Sequence, residues 1–168
     1  AFELDPEIGA CISSVMLNRE ARETFEPQYV TKQDTILSCD TFRHRLLRSF
    51  FFRMPGCVLR RSILSVHALP DPELYQIHDW EYFLRVTKGH KAALIHKPLA
   101  EYRIHDKSIT ANAQKNNRLI RDIQRWLSLA REPGDHYIDP EQLRVLEGSC
   151  AELLLIGFGP KLQLSSYM

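Results

Sequence analysis

The stretch HDWEYFLRVTKGHKAALIHKPLAEYRI, residues 78–104, contains the change of hydrophobic period from which the fold is read. Asp79 stands at a helix start, and Trp80, Phe83, Leu84 and Thr87 follow at helical spacing. Trp80, Phe83 and Leu84 therefore share one apolar face. Gly89 falls where a helix favours a C′ glycine. Lys91 to His96 then reads as a strand closed by Lys97-Pro98, and Leu99 to Ile104 as another. The two predict either a hairpin around Lys97-Pro98 or two turns of a mixed sheet. The class expected is α/β: a short mixed sheet flanked by helices, with the Asp79 helix at one edge of a cleft.

Upstream, Ile8 to Leu17 is rich in β-branched and apolar residues and reads as a buried strand. Asn18 to Asp34 is polar, carries Pro27 and reads as a loop. Asp40 or Thr41 is placed to cap a helix through about Phe51, with Phe42, Leu46, Leu47 and Phe50 on one stripe. Met54-Pro55-Gly56 breaks it, and Cys57-Val58-Leu59 reads as a short buried strand. Arg60 to His67 holds a helical turn or two, and Leu69-Pro70-Asp71-Pro72 is a turn-rich linker. Downstream, an amphipathic helix is expected from Asn112 to about Arg131, broken at Glu132-Pro133-Gly134-Asp135. Asp139 as N-cap and Pro140 at the first helical position open a last helix to about Ile156, where Gly157-Phe158-Gly159-Pro160 should stop it.

The chain has 168 residues, 44% hydrophobic and 26% charged, which suits one domain or a large piece of one. A net charge of +1 gives no global field for nucleic acid. Two basic clusters, Arg43-His44-Arg45 with Arg48 and Arg60-Arg61, read as solvated faces or as phosphate-facing groups. Cys11, Cys39, Cys57 and Cys150 form no C-x-x-C pair, so free thiols in a reducing compartment are expected. No run of about 18 apolar residues predicts a membrane span, and no signal peptide is visible. The start at Ala1, just ahead of an apolar run, reads as internal to a longer protein. The remaining histidines, among them His44, His67, His90, His96 and His136, show no metal-binding spacing.

Asp79 is the first candidate for chemistry. A carboxylate at a helix N-terminus lies among unpaired N–H groups and stays ionised, as a general base must. The same position equally suits a plain N-cap. The wider order of segments adds weight. Gly56-Cys57-Val58-Leu59-Arg60-Arg61 comes first, then Asp79-Trp80-Glu81 with Leu84-Arg85, then Pro98-Leu99, then Tyr102-Arg103-Ile104-His105 and Ser108-Ile109-Thr110. From about Met54 to Thr110 this order resembles the second half of family 2 glycosyltransferases of GT-A type. There a Glu-Asp-Trp-(Asp/Glu)-x-x-Leu-Arg helix precedes a Pro-Leu-x-x-Tyr-Arg-x-His strand.

The resemblance implies a partial GT-A-like fold: residues 1–110 as the acceptor-side part and 111–168 as a C-terminal helical extension. It implies an inverting transferase that moves a sugar from a nucleotide-diphosphate donor to a saccharide or other hydroxyl acceptor, with Mn²⁺ or Mg²⁺ in the complete enzyme. Asp79 matches the family's catalytic base. His105 matches a histidine that approaches the diphosphate or its metal, and Arg103 a residue that orients that loop or neutralises phosphate. Trp80 either shapes the acceptor pocket or packs, and Arg85 reads as a structural ion-pair partner. His78 stands where the family has Glu, which bears on acceptor binding. The Asp-x-Asp metal motif has no match, so this chain alone is expected to be inactive and to bind nucleotide weakly. The family works on the cytoplasmic side, in some members at the membrane. Two other readings remain: a non-catalytic, carbohydrate-binding or interaction module, favoured by His78 and the missing motif, and a metal-dependent hydrolase using Asp79, His78 and His105.

Overall fold

A computed structural model describes residues 1–19, 24–64, 69–105, 118–132 and 138–165, with 156–165 as backbone only. The fold is mixed α/β. Its first strand, β1 (Ile8–Arg19), is the centre of the sheet. It pairs in parallel with β5 (Lys91–Ile104) on one side. On the other side two short antiparallel strands share its edge: β4 (Cys57–Leu59) opposite Ala10–Ile12, and β2 (Thr24–Gln28) opposite Val15–Arg19. A further strand, β3 (Thr35–Leu37), pairs antiparallel with the first half of β5.

The helices cover the sheet. The first, α1 (Cys39–Arg48), is capped by Ser38, whose hydroxyl accepts the Thr41 N–H. The cap falls ahead of the expected Asp40 or Thr41. Then come a 3₁₀ turn at Met54–Gly56, the single turn α2 (Arg61–Leu64), α3 (His78–Val86), α4 (Arg118–Arg131) and α5 (Pro140–Ser165). One hydrophobic core joins them. Phe42 and Leu46 of α1, Trp80 and Phe83 of α3, Trp126 of α4 and Leu146 of α5 belong to it together with Ile12 and Leu94 of the sheet. The boundary expected at 110–111 lies outside the described residues.

Four expectations are corrected. Residues 91–104 form one strand, neither a hairpin nor two strands: β1 and β5 stay paired through an irregularity at Ser13–Val15, where Pro98 lies opposite Ser14 and His96, Lys97 and Leu99 have no partner on β1. Proline is tolerated there because it sits at an irregularity, where the ladder needs no donor. The polar loop at 18–34 contains β2, whose residues are mostly exposed because the strand lies on the sheet's rim. Val58 is not buried but 59% exposed, since β4 pairs on one side only. The last helix continues past Gly157-Phe158-Gly159-Pro160 to Ser165. A proline ring fixes φ near a helical value, so it removes one hydrogen bond without forbidding the turn.

Two glycines meet particular demands. A Cβ on Gly56 would come within 2.7 Å of the Ser13 carbonyl oxygen, so only glycine lets the 3₁₀ turn press against β1. Gly89 takes φ +77 and turns the chain from α3 into β5. The basic clusters are turned partly inward. Arg60 donates to the Ile8, Phe2 and Asp5 carbonyls, and Arg43 to the Leu84 carbonyl and Gln142.

Candidate functional site

Asp79 is the second residue of α3, not its cap. The cap position belongs to Ile77, which has no side-chain hydrogen bond to give. The helix starts this early because the turn before it is fastened from elsewhere. Asp122 of α4 accepts the Tyr75 N–H at 2.9 Å and the Gln76 N–H at 2.5 Å, and Ile77 is buried in the core. The Asp79 carboxylate accepts the Trp80 N–H at 2.8 Å and remains half-buried on the wall of a cavity of about 440 Å³.

Several elements build that cavity. Asp79 and Gln76 face it from the α3 region, and Arg53 and Phe52 from the segment around the 3₁₀ turn. Tyr102 adds the end of β5, and Glu152 adds α5. Arg53 is held on two sides. Its Nε donates to Gln28 Oε1 at 2.9 Å, and its guanidinium lies 5.1 Å from the Tyr102 ring centroid. Gln76 Oε1 is buried and has no hydrogen-bond partner among the described residues.

Burial pushes the Asp79 carboxyl above its ordinary value. The positive field of His78, the Trp80 N–H and the Arg53 guanidinium pull the other way without cancelling it. The result is a carboxylate more basic than one in water, ringed by donors that still favour its charge. Such a group suits proton abstraction from a hydroxyl.

The residues singled out in the sequence are not all gathered here. His78 lies beside Asp79 and directs its Nδ1 to the Tyr75 carbonyl at 3.0 Å; its side chain does not line the cavity. Trp80 contributes one surface to the cavity but is mainly core. Its indole N–H donates to the Leu46 carbonyl at 2.6 Å, and its ring meets Trp126 edge-on at 5.1 Å. Arg103 is exposed and, by strand alternation, opposite in facing to Tyr102. His105, just beyond β5, is half-buried and is not among the cavity residues. Arg85 is paired with Glu81 at 2.8 Å. Ser108-Ile109-Thr110, His67 and His136 lie outside the described residues.

Among the described residues no group of three or more His, Cys, Asp or Glu side chains comes together. No helix among them is long and apolar enough to cross a membrane. Arg53, Gln76 and Glu152 were missed in the sequence because each lies outside the motif segments. Asp122 had a visible signal: it interrupts the apolar stripe Leu119, Ile123, Trp126 of α4 at helical spacing.

Comparison with known proteins finds no matching family model and no matching curated protein.

Proposed function

We propose that this chain supplies the acceptor side of an inverting, GT-A-like glycosyltransferase, with Asp79 as general base. The observation that carries the reading is a half-buried carboxylate, made more basic by burial, on the wall of a cavity of about 440 Å³. That volume lies within the range of about 300–1,000 Å³ usual for small-molecule sites. The order of Asp79-Trp80, Leu84-Arg85, Pro98-Leu99 and Tyr102-Arg103-x-His105 supports the family assignment.

In the proposed reaction an acceptor hydroxyl enters the cavity and passes its proton to the Asp79 carboxylate. The oxygen forms a bond to the anomeric carbon of the donor sugar. The bond from that carbon to the diphosphate breaks on the opposite face, its electron pair leaves with the nucleoside diphosphate, and the configuration inverts. Tyr102 offers a flat wall for a sugar ring, and Gln76 and Glu152 offer hydrogen-bonding groups. The family's Asp-x-Asp motif has no counterpart in these residues. Donor and metal binding are therefore assigned to residues outside them, and no step here runs through a metal.

The test is release of nucleoside diphosphate from a panel of nucleotide sugars by the full-length product of the reading frame that encodes these residues. Wild type and Asp79→Asn are compared. Loss of the base is expected to lower kcat by on the order of 10²-fold or more, with folding intact. Equal activity of the two rejects Asp79 as base. No turnover with any donor, together with retained saccharide binding, favours a non-catalytic carbohydrate-binding module instead.

A further inference from the structure

A second hollow, of about 630 Å³, opens elsewhere on the surface, lined by Tyr29, Val30, Thr31, Lys32, Arg45 and His96. None of these residues lines the Asp79 cavity. The Tyr29 and His96 rings stack at 4.5 Å between centroids, only 12° from parallel, while Tyr29 remains 54% exposed. One face of the tyrosine is therefore covered by histidine, and much of its remaining surface meets solvent.

The platform is fastened in place. Ser14, fully buried, accepts the Val30 N–H at 3.1 Å and donates to the Ile95 carbonyl at 3.3 Å, tying the tyrosine segment to β5. Asp34 accepts the His96 N–H at 2.8 Å, and His96 Nδ1 lies 2.9 Å from the Thr31 carbonyl. A carbonyl only accepts, so Nδ1 carries hydrogen and Nε2 is left as the second polar atom of the ring. His96 belongs to the stretch of β5 that bulges between the Ser13–Ile95 and Ser14–Pro98 pairs. Bulges re-aim side chains, and this one coincides with the histidine's stacking on Tyr29.

The lining of the hollow is cationic, and the one carboxylate described beside it, Asp34, is engaged by the His96 backbone N–H. Of the six lining residues Lys32 and Arg45 are cationic and none is acidic. Among the described residues neither forms an ion pair with a carboxylate. Arg45 is braced over the Phe51 ring at 4.3 Å and touches the Val30 carbonyl at 3.5 Å, which leaves most of its donors unused.

We propose that this hollow binds a ring ligand carrying a phosphate or carboxylate. The ring would stack on the exposed surface of Tyr29 and the anion would lie between Lys32 and Arg45. Two cations and a net chain charge of +1 are too few for a nucleic-acid strand, so a small anionic ring is the fitting size. The site does not depend on the transferase reading.

The experiment is a chemical-shift titration of the chain with glucose 1-phosphate, uridine monophosphate, glucose and inorganic phosphate. Tyr29→Leu and Lys32→Gln are run beside wild type, with a folded spectrum as the requirement for each. Saturable binding of either anionic ring, centred on Tyr29 and Lys32 and weakened about tenfold by either variant, supports the site. Preference for glucose 1-phosphate makes the ligand a sugar, and preference for uridine monophosphate makes it a nucleoside. Equal binding of inorganic phosphate, equal binding of glucose, or no saturable binding overturns the proposal. So does binding that both variants retain.

Discussion

Asp122 on α4 accepts the backbone N–H of Gln76, three residues ahead of Asp79, and by that bond sets where α3 begins. Asp122 is 2% exposed, and its carboxylate serves a second N–H, that of Tyr75. Replacing Asp122 with Ala strands two donors beneath α4 and is expected to cost roughly 2–4 kcal/mol. Asp122→Asn keeps one acceptor oxygen and should recover part of that loss. Urea unfolding of the three proteins checks the order.

Asp79 sets a trade between stability and charge. Its folded-state pKa is raised above the ordinary 3.8, so the folded chain holds that proton more tightly than the unfolded chain. The associated stability is fully present below the ordinary carboxylate value and is lost as pH rises through the folded value. Asp79→Asn cannot ionise. Its stability relative to wild type should therefore climb with pH across that window and level off above it. Denaturant midpoints of both proteins at a series of pH values measure the trend, and a flat difference would contradict the raised pKa.

Trp80 and Trp126 meet edge-on in the core, and Trp80 donates its indole N–H to the Leu46 carbonyl. Trp80→Phe keeps most of the packing but leaves that carbonyl without its donor, for an expected cost of about 1–3 kcal/mol. Trp126→Ala opens a cavity where the ring is fully buried, for about 3–5 kcal/mol. Thermal unfolding should rank them in that order.

Burial pushes the Cys57 thiol up to about 12 and the Cys150 thiol up to about 11. Thiolate, the reactive form, is thus scarce at both in the folded chain. Both should resist a thiol-specific reagent at pH 8 until denaturant is added, and then react together with the unfolding transition. Labelling followed by mass spectrometry of the digested chain reads this site by site.

Much of this fold was legible from local pattern. The stripe Trp80, Phe83, Leu84 marked α3, the apolar run from Ile8 marked β1, and Asp139-Pro140 marked the start of α5. Asp139 indeed accepts the Gln142 N–H at 2.8 Å. What could not be read were features set by distant partners. Pro98 looks like a strand terminator in isolation; it is accommodated because β1 tolerates a bulge opposite Ser14. Asp79 looks like a cap in isolation; Asp122, forty-three positions on, moves the helix start ahead of it. The candidate site follows the same division. Asp79 and Trp80 were visible as a motif, whereas Arg53 and Gln76 join them only through tertiary packing.

The bulge between β1 and β5 also bears on which insertions and deletions this chain can survive. From the Ser13–Ile95 pair to the Val15–Ala100 pair, β1 advances two residues while β5 advances five. The surplus is odd, so it decides which β5 side chains face the cavity beyond that point. Losing one residue between His96 and Leu99 would bring Arg103, in place of Tyr102, opposite Leu17. Losing two would slide the pairing by two, bringing Ile104 opposite Leu17 and Tyr102 opposite Val15, and so would keep the facing. Among descendants of this sequence, length changes in that short window should come in pairs, while the exposed turn at Lys32-Gln33 is under no such arithmetic.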